Sequence, residues 1–243
     1  MTRVVVVTGA AGAIGQAIAR RLLQDGDAVV GVDYDAERLT AFANDAGITP
    51  IAGDLREEKT LLGAADAAAR QGSFGGWVNN AATFPRGRLS EMSAEEVDQA
   101  LYGNLAPVVH GSRIALERFV AGGAGSIVTI TSIHAQRASR AWPLYAVAKS
   151  GAEALMRAIA IDYGDQGIRA NSVAPGLIRT DANAGFVEET RTRWEAQGRQ
   201  LRVGAPEDVA AVVAFLLAPG AHHLNGACIA VDGGEAAASG ADW

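Results

Sequence analysis

The sequence predicts a doubly wound α/β fold, one domain over residues 1–243 with seven parallel strands in one sheet and helices on both faces. Three observations predict it. Short apolar runs alternate with amphipathic stretches along the whole chain. Most of those runs are continuous in Val, Ile and Ala, as strands buried on both faces are. A glycine-rich turn separates the first run from the first amphipathic stretch.

Strands are expected at Val4–Thr8, Ala28–Asp33, Thr49–Ala52, Gly76–Asn79, Ser126–Thr131, Arg169–Val173 and Cys228–Val231. Helices are expected near 13–25, 36–46, 57–71, 94–121, 145–164 and 206–218. The last begins Ala205-Pro206-Glu207-Asp208, with proline at its first position and acids in its first turn, and stops at Pro219-Gly220. In the helix from Tyr145, Ala148, Ala152, Leu155, Met156, Ile159 and Tyr163 recur at helical spacing and mark a buried stripe. The small residues Gly151, Ala154 and Ala158 fit close helix approach, at a subunit interface or within the core. Residues 179–204 break the rhythm: polar, arginine-rich, yet carrying Phe186 and Trp194. They read as a solvated insertion or, following a strand end, as a mobile flap over a ligand, and the second reading is favoured. The tail Glu235–Trp243 is small and polar until Trp243.

Composition excludes several classes. With 49% hydrophobic and 20% charged residues, the chain is not generally disordered. No apolar stretch reaches the ~18 residues of a membrane span, and no export signal is expected at the N-terminus. The net charge of −6 disfavours nucleic acid or an anionic membrane as partner. Cys228 is the only cysteine. It reads as a small buried core residue, and a cytoplasmic setting is expected.

The first strand ends in Thr8-Gly9-Ala10-Ala11-Gly12-Ala13-Ile14-Gly15. Glycines there permit a tight turn and close approach of backbone to a pyrophosphate, and the helix that follows offers free N–H groups at its positive end. Asp33 closes the second strand, 18 residues after Gly15. A carboxylate there accepts hydrogen bonds from both hydroxyls of an adenosine ribose and repels a 2′-phosphate, so with no cation beside it in sequence it argues for NAD over NADP. The plainer reading is a strand end or a turn with Asp35. Asp54 and Leu55 follow the third strand and Asn79-Asn80-Ala81-Ala82 the fourth, at the sheet edge where ligands bind. Asp54 suits the adenine amino group. Asn79-Asn80 suit either the cofactor or a turn that ties strands together.

Ser132 follows the fifth strand, Tyr145 comes thirteen residues later and Lys149 four after that. On a helix the last two share a face. A phenol is a poor base near neutrality, and a nearby ammonium is expected to lower its pKa into a useful range.

Taken together, the glycine-rich turn, Asp33, Asn79-Asn80-Ala81, Ser132 and Tyr145-Ala146-Val147-Ala148-Lys149 resemble the short-chain dehydrogenase/reductase family over essentially the whole chain. Pro175-Gly176-Leu177-Ile178-Arg179-Thr180, Pro206-Glu207-Asp208-Val209-Ala210 and Val231-Asp232-Gly233-Gly234 agree with it. The resemblance implies a Rossmann-type fold, NAD and a secondary alcohol, a sugar or small cyclic alcohol among the candidates. It implies Tyr145 as acid/base, Ser132 as the donor to the substrate oxygen, and Lys149 as ligand of the nicotinamide ribose. It implies Asn104 as holder of a relay water and Thr180 as contact of the carboxamide. The backbone at Gly9, Gly12, Ala13, Ile14 and Gly15 is to hold the phosphates, with Asp33, Asp54, Leu55, Asn80, Ala81, Pro175, Gly176 and Ile178 also lining the cofactor. Ala13 stands where the family usually has glycine, Ala82 likewise, and Thr131-Ser132 replaces a frequent Ser-Ser pair. A homotetramer or homodimer is implied, with the Asn104 and Tyr145 helices at an interface.

His134 and Trp142 are expected to line the substrate site, with Phe84, Phe186 and Trp194 as further wall candidates. Arg137, Arg140 and Arg179 are candidate holders of a substrate anion. Two other readings stand beside this one: an NADPH-dependent 3-oxoacyl thioester reductase of the same fold, which Asp33 opposes, and a catalytically silent dinucleotide sensor, which should lack a reacting group.

Overall fold

A computed structural model describes residues 1–137, 139–196 and 202–237. The strands are β1 (Arg3–Thr8), β2 (Ala28–Asp33), β3 (Thr49–Ala52), β4 (Ser73–Asn79), β5 (Gly125–Ile130), β6 (Ile168–Pro175) and β7 (Cys228–Val231). All pair in parallel, in the order β3-β2-β1-β4-β5-β6-β7. The order reverses between β1 and β4, which opens a crevice at their C-terminal ends.

Alternation along the strands divides the core into two layers. Val5 and Val7 pack with α1 (Ala13–Gln24), α2 (Ala36–Ala46) and α8 (Pro206–Leu217). Val4 and Val6 pack on the other face with α3 (Glu58–Gln71), α5 (Ala106–Gly122) and α6 (Pro143–Tyr163). The run in β1 is apolar throughout because successive side chains enter opposite layers, both covered by helices. Two guanidiniums close the C-terminus of α8: Arg169 donates to the carbonyls of Leu216, Ala218 and Ala221, and Arg3 to that of Leu217.

Four local expectations need correction. The long helix expected over 94–121 is two helices, α4 (Ala94–Asn104) and α5, broken at Leu105. Pro107 has no N–H for the Gly103 carbonyl one turn earlier, and its ring crowds that carbonyl. β4 starts at Ser73, three residues before the expected Gly76, with a register shift against β1 between Val4 and Val5. The polar stretch 179–204 contains a helix, α7 (Ala184–Ala196), whose Val187, Thr190 and Trp194 are buried. Cys228 is only half-buried, and its thiol donates to Glu153 Oε1 at 3.2 Å. Residues 197–201 of the expected flap and the end of the tail, Trp243 included, lie outside the described residues. No described helix is long and apolar enough to cross a membrane.

One close approach carries a prediction. Gly111 of α5 lies against the buried Trp77 ring, and a Cβ there would sit 2.9 Å from Trp77 Cζ2 and 3.1 Å from Asn79 Oδ1. Trp77 cannot yield, because its Nε1 donates to Asn79 Oδ1 at 2.7 Å within a saturated polar cluster. Gly111→Ala is expected to destabilise by about 1–3 kcal/mol despite alanine's better helix propensity. Urea unfolding checks it; an unchanged midpoint contradicts the packing argument.

Candidate active site

At the C-terminal edge of the sheet the turn after β1 is held from outside. Thr8 Oγ1 accepts from the backbone N–H of Asn80 and Ala81, and Asn80 Nδ2 donates to the carbonyls of Thr8 and Gly9. Of the two readings of Asn79-Asn80, both side chains take the structural one. Asn79 bonds Trp77, Ser112 and Thr129 inside the core. Gly9 has φ +66°, and a Cβ on it would meet Ala81 Cα at 2.9 Å. Gly15 is excluded from bearing a side chain by the Gly9 carbonyl. Gly12 is different: apart from the Gly9 carbonyl at 3.4 Å, a Cβ there would point into open space. It is also the N-cap of α1 and makes no side-chain cap, so Ala13, Ile14 and Gly15 begin the helix without a side-chain acceptor for their N–H groups. That cradle fits a pyrophosphate. Ala13 is helical, which is why alanine is tolerated there.

Asp33, 7% exposed, accepts from Ala11 N–H at 2.9 Å and from Asp35 N–H at 3.1 Å. It therefore ends the strand and anchors the glycine-rich loop at once, with acceptor sites left for a ribose. Ala11, whose N–H it accepts from, is met at its carbonyl by a cation. Arg38, from α2, donates to the Ala11 carbonyl at 3.3 Å. Asp54 is engaged by Arg56, whose hydrogen bonds hold its carboxyl below the usual range. Leu55 is half-buried against the core. Gly176 is squeezed by Asp232 and Glu235, and its N–H bonds the Val231 carbonyl. Ile178 is buried and bridges Gly204, Pro175 ends β6, and Thr180 N–H donates to Asn183.

Ser132, Tyr145 and Lys149 come together beyond the end of β5. Ser132 Oγ accepts from His134 N–H at 3.2 Å, and its hydroxyl is close enough to the Tyr145 phenol to favour the ionised form. Burial pushes the phenol up to about 12, with the Ser132 hydroxyl pulling the other way. Lys149 Nζ donates to the Ile130 carbonyl at 2.9 Å and lies 5.5 Å from the Tyr145 ring centroid. Its own burial brings the ammonium down to about 8. The expected lowering of the phenol by Lys149 thus gives way to the opposite shift. Desolvation dominates because the ammonium sits by the ring and is spent on a carbonyl. Asn104 is buried at the end of α4, both amide protons given to Thr83 and Ala100 and its Oδ1 accepting from Thr83 N–H.

Three aromatic rings surround Tyr145: Phe84 at 5.7 Å, Trp142 at 5.7 Å and His134 at 6.3 Å between centroids. Burial lowers the pKa of His134, and its Nδ1 lies 3.0 Å from Ser139 Oγ. Trp142 follows Ala141, which has φ +64°. Phe186 is exposed on α7 and Trp194 is buried within that helix. Arg137 and Arg140 are exposed, and Arg179 pairs with Glu188. Sequence reasoning missed Arg38 and the buried Glu153. The first stands five residues after Asp33, but that spacing alone does not bring its guanidinium to the Ala11 carbonyl of the loop. The second did: Glu153 stands eight residues after Tyr145 on the same helix face.

Comparison with known proteins agrees. A family model described as enoyl-(acyl carrier protein) reductase matches residues 9–235. The chain is 33% identical to a 7alpha-hydroxysteroid dehydrogenase of Bacteroides fragilis, over 96% of this chain and 93% of that one. It is 36% identical to a cis-4-hydroxycyclohexanecarboxylate dehydrogenase of Sinomonas cyclohexanicum, over 97% of each. A solved short-chain type dehydrogenase/reductase from Mycobacterium ulcerans superposes with a TM-score of 0.92 at 30% identity, over 99% of this chain and 92% of that one. Dehydrogenases of this kind use a nicotinamide cofactor. The chain belongs to the short-chain dehydrogenase/reductase family and is an oxidoreductase acting on CH–OH groups by hydride transfer.

Proposed function

We propose that this protein interconverts a small cyclic secondary alcohol and its ketone with NAD. The observation that carries the reading is the buried Lys149 ammonium 5.5 Å from the Tyr145 ring centroid, at the strand end that bears Ser132, with three further rings around the phenol. Flat apolar walls suit the face of an alicyclic ring better than a flexible acyl chain.

NAD, when bound, supplies the hydride acceptor, and the rest is the chain's work. The α1 N-terminus at Gly12–Gly15 holds the pyrophosphate, Asp33 the adenosine ribose and Lys149 the nicotinamide ribose. Thr180 and Ile178 flank the nicotinamide end, with Pro175 and Gly176 below. Ser132 donates to the substrate oxygen and steadies its developing charge. Tyr145 Oη takes the alcohol proton, or returns it to the ketone. The Asn104 main chain holds a water that passes protons outward. His134 and Trp142 line the substrate, and residues 179–204 act as a flap, supported by their place after β6. Self-association as a homotetramer or homodimer belongs to the same reading, supported by exposed Val109, Val147 and Ile161 on α5 and α6. So does a cytoplasmic setting, supported by the single cysteine, Cys228, which can form no intrachain disulfide.

A second reading, an NADPH-linked thioester reductase, is favoured by Arg38 beside the adenosine end. One experiment separates the two. Cyclohexanol, 2,3-butanediol, sugars and a 3-oxoacyl thioester are assayed with both cofactors by following reduced nicotinamide. Cyclic alcohols with NAD are expected to lead. Equal rates with NADP overturn the Asp33 argument, and a preference for thioester with NADPH installs the second reading.

A further inference from the structure

We propose that Glu153 is a positioning residue for the alcohol chemistry. It holds the segment bearing Ser132 against the helix bearing Tyr145, and the inference rests on the roles assigned to those two groups above. Tyr145, Lys149 and Glu153 stand four residues apart on one face of α6. The third is a carboxylate only 5% exposed. Its oxygens collect donors from three separate elements. Thr131 Oγ1, just past the end of β5, and Cys228 Sγ, at the start of β7, each reach Oε1 at 3.2 Å. Gln136 Nε2 reaches Oε2 at 3.3 Å. Arg157, one turn on, lies 4.0 Å away.

Thr131 and Gln136 bracket the turn that carries Ser132 and His134. Within it Ala135 N–H bonds the Ser132 carbonyl, and Gln136 N–H bonds that of Ile133. Ser150, one turn before Glu153, donates to the Ala135 carbonyl at 2.6 Å. The turn is thus pinned to α6 at both ends. A leucine would fill the same space without the desolvation cost of a charge. What the carboxylate adds is a strong acceptor fixed in direction, which sets the distance from Ser132 Oγ to the phenol on the same helix. Thr131 belongs to this clamp, its one hydroxyl proton shared between Glu153 Oε1 at 3.2 Å and the Val173 carbonyl at 3.1 Å.

The test compares wild type, Glu153→Leu, Glu153→Gln, Ser132→Ala and the Glu153→Leu/Ser132→Ala double variant. The first readout needs no substrate: hydrogen exchange of the backbone amides of 131–137 in the cofactor-free protein. Glu153→Leu is expected to speed exchange there about tenfold while β1 and β4 stay protected, and Glu153→Gln to sit between. The second is turnover of the best alcohol from the cofactor panel. Glu153→Leu should lower kcat roughly 10- to 100-fold with KM and NADH binding little changed, and add almost nothing once Ser132 is alanine. Uniform or unchanged exchange, or full additivity with Ser132→Ala, overturns the proposal. If Ser132→Ala alone keeps full turnover, the role of Ser132 fails instead, and the exchange pattern still decides whether Glu153 pins the turn. Should Glu153→Leu not fold, Thr131→Val and Gln136→Leu remove one donor each and carry the same exchange measurement.

Discussion

Tyr145→Phe is expected to cut turnover by about 10²–10⁴-fold or more while NADH still binds, because it deletes the group proposed above to exchange a proton with the substrate oxygen. The ring stays, so the packing with Phe84, Trp142 and His134 survives and the fold is not in question. NADH fluorescence titration and steady-state rates on one sample separate binding from chemistry. Substantial residual turnover would remove Tyr145 from its role. The phenol also fixes the sign of the pH dependence. Burial pushes it up to about 12, so the free protein holds it protonated through the neutral range. Alcohol oxidation needs the phenolate, so kcat/KM in that direction rises with pH. Ketone reduction needs the phenol and stays level. A fall in oxidation with rising pH between about 6 and 8 contradicts the assignment.

Lys149→Met is expected to abolish useful turnover and to make the folded protein more stable. Lys149 is 2% exposed and donates to the Ile130 carbonyl, and burial takes its ammonium from 10.5 to about 8. Between those two values the folded protein binds fewer protons than the unfolded chain, so stability rises with pH across that window. Below about 8 the penalty is present in full, on the order of 3 kcal/mol from the size of the shift. Methionine removes it but leaves the Ile130 carbonyl short of a donor, so a net gain of about 1–2 kcal/mol is expected at neutral pH. Urea unfolding at neutral pH and near pH 10 reads both parts: the variant leads at the lower pH and loses its lead at the higher. A variant less stable than wild type at neutral pH refutes the argument. The lysine is then a group kept at a thermodynamic loss, which is what a site chosen for chemistry looks like.

The strands were legible because a sheet covered on both faces demands unbroken apolar runs, and Val4–Val7 or Ile127–Val128 have no other use. The glycine-rich turn and the Ser132, Tyr145, Lys149 set were legible because their chemistry restricts residue type and order. The break at Leu105 was not, since the apolar spacing on either side continues one helix and only Pro107 betrays it. The bond from Arg38 to the Ala11 carbonyl was invisible, being a meeting of loop and helix. The direction of the Tyr145 shift was misjudged because spacing gives the presence of an ammonium but not its distance from the oxygen, nor the depth of burial. Glu153 was passed over because attention to the helix stopped at its apolar stripe.

Ala141 is held in the left-handed region, which costs a non-glycine residue about 1–2 kcal/mol. Its carbonyl accepts from Gly87 N–H at 2.9 Å, so the loop carrying Phe84 and the loop carrying Trp142 are stitched together. The reacting groups stand on strand end and helix, anchored by secondary structure. The two loops above them are joined by the Gly87–Ala141 bond, next to one unfavourable backbone angle. Mutations in those loops can therefore reshape which molecules enter without disturbing the proton-handling floor, so substrate choice and catalytic power are free to evolve separately.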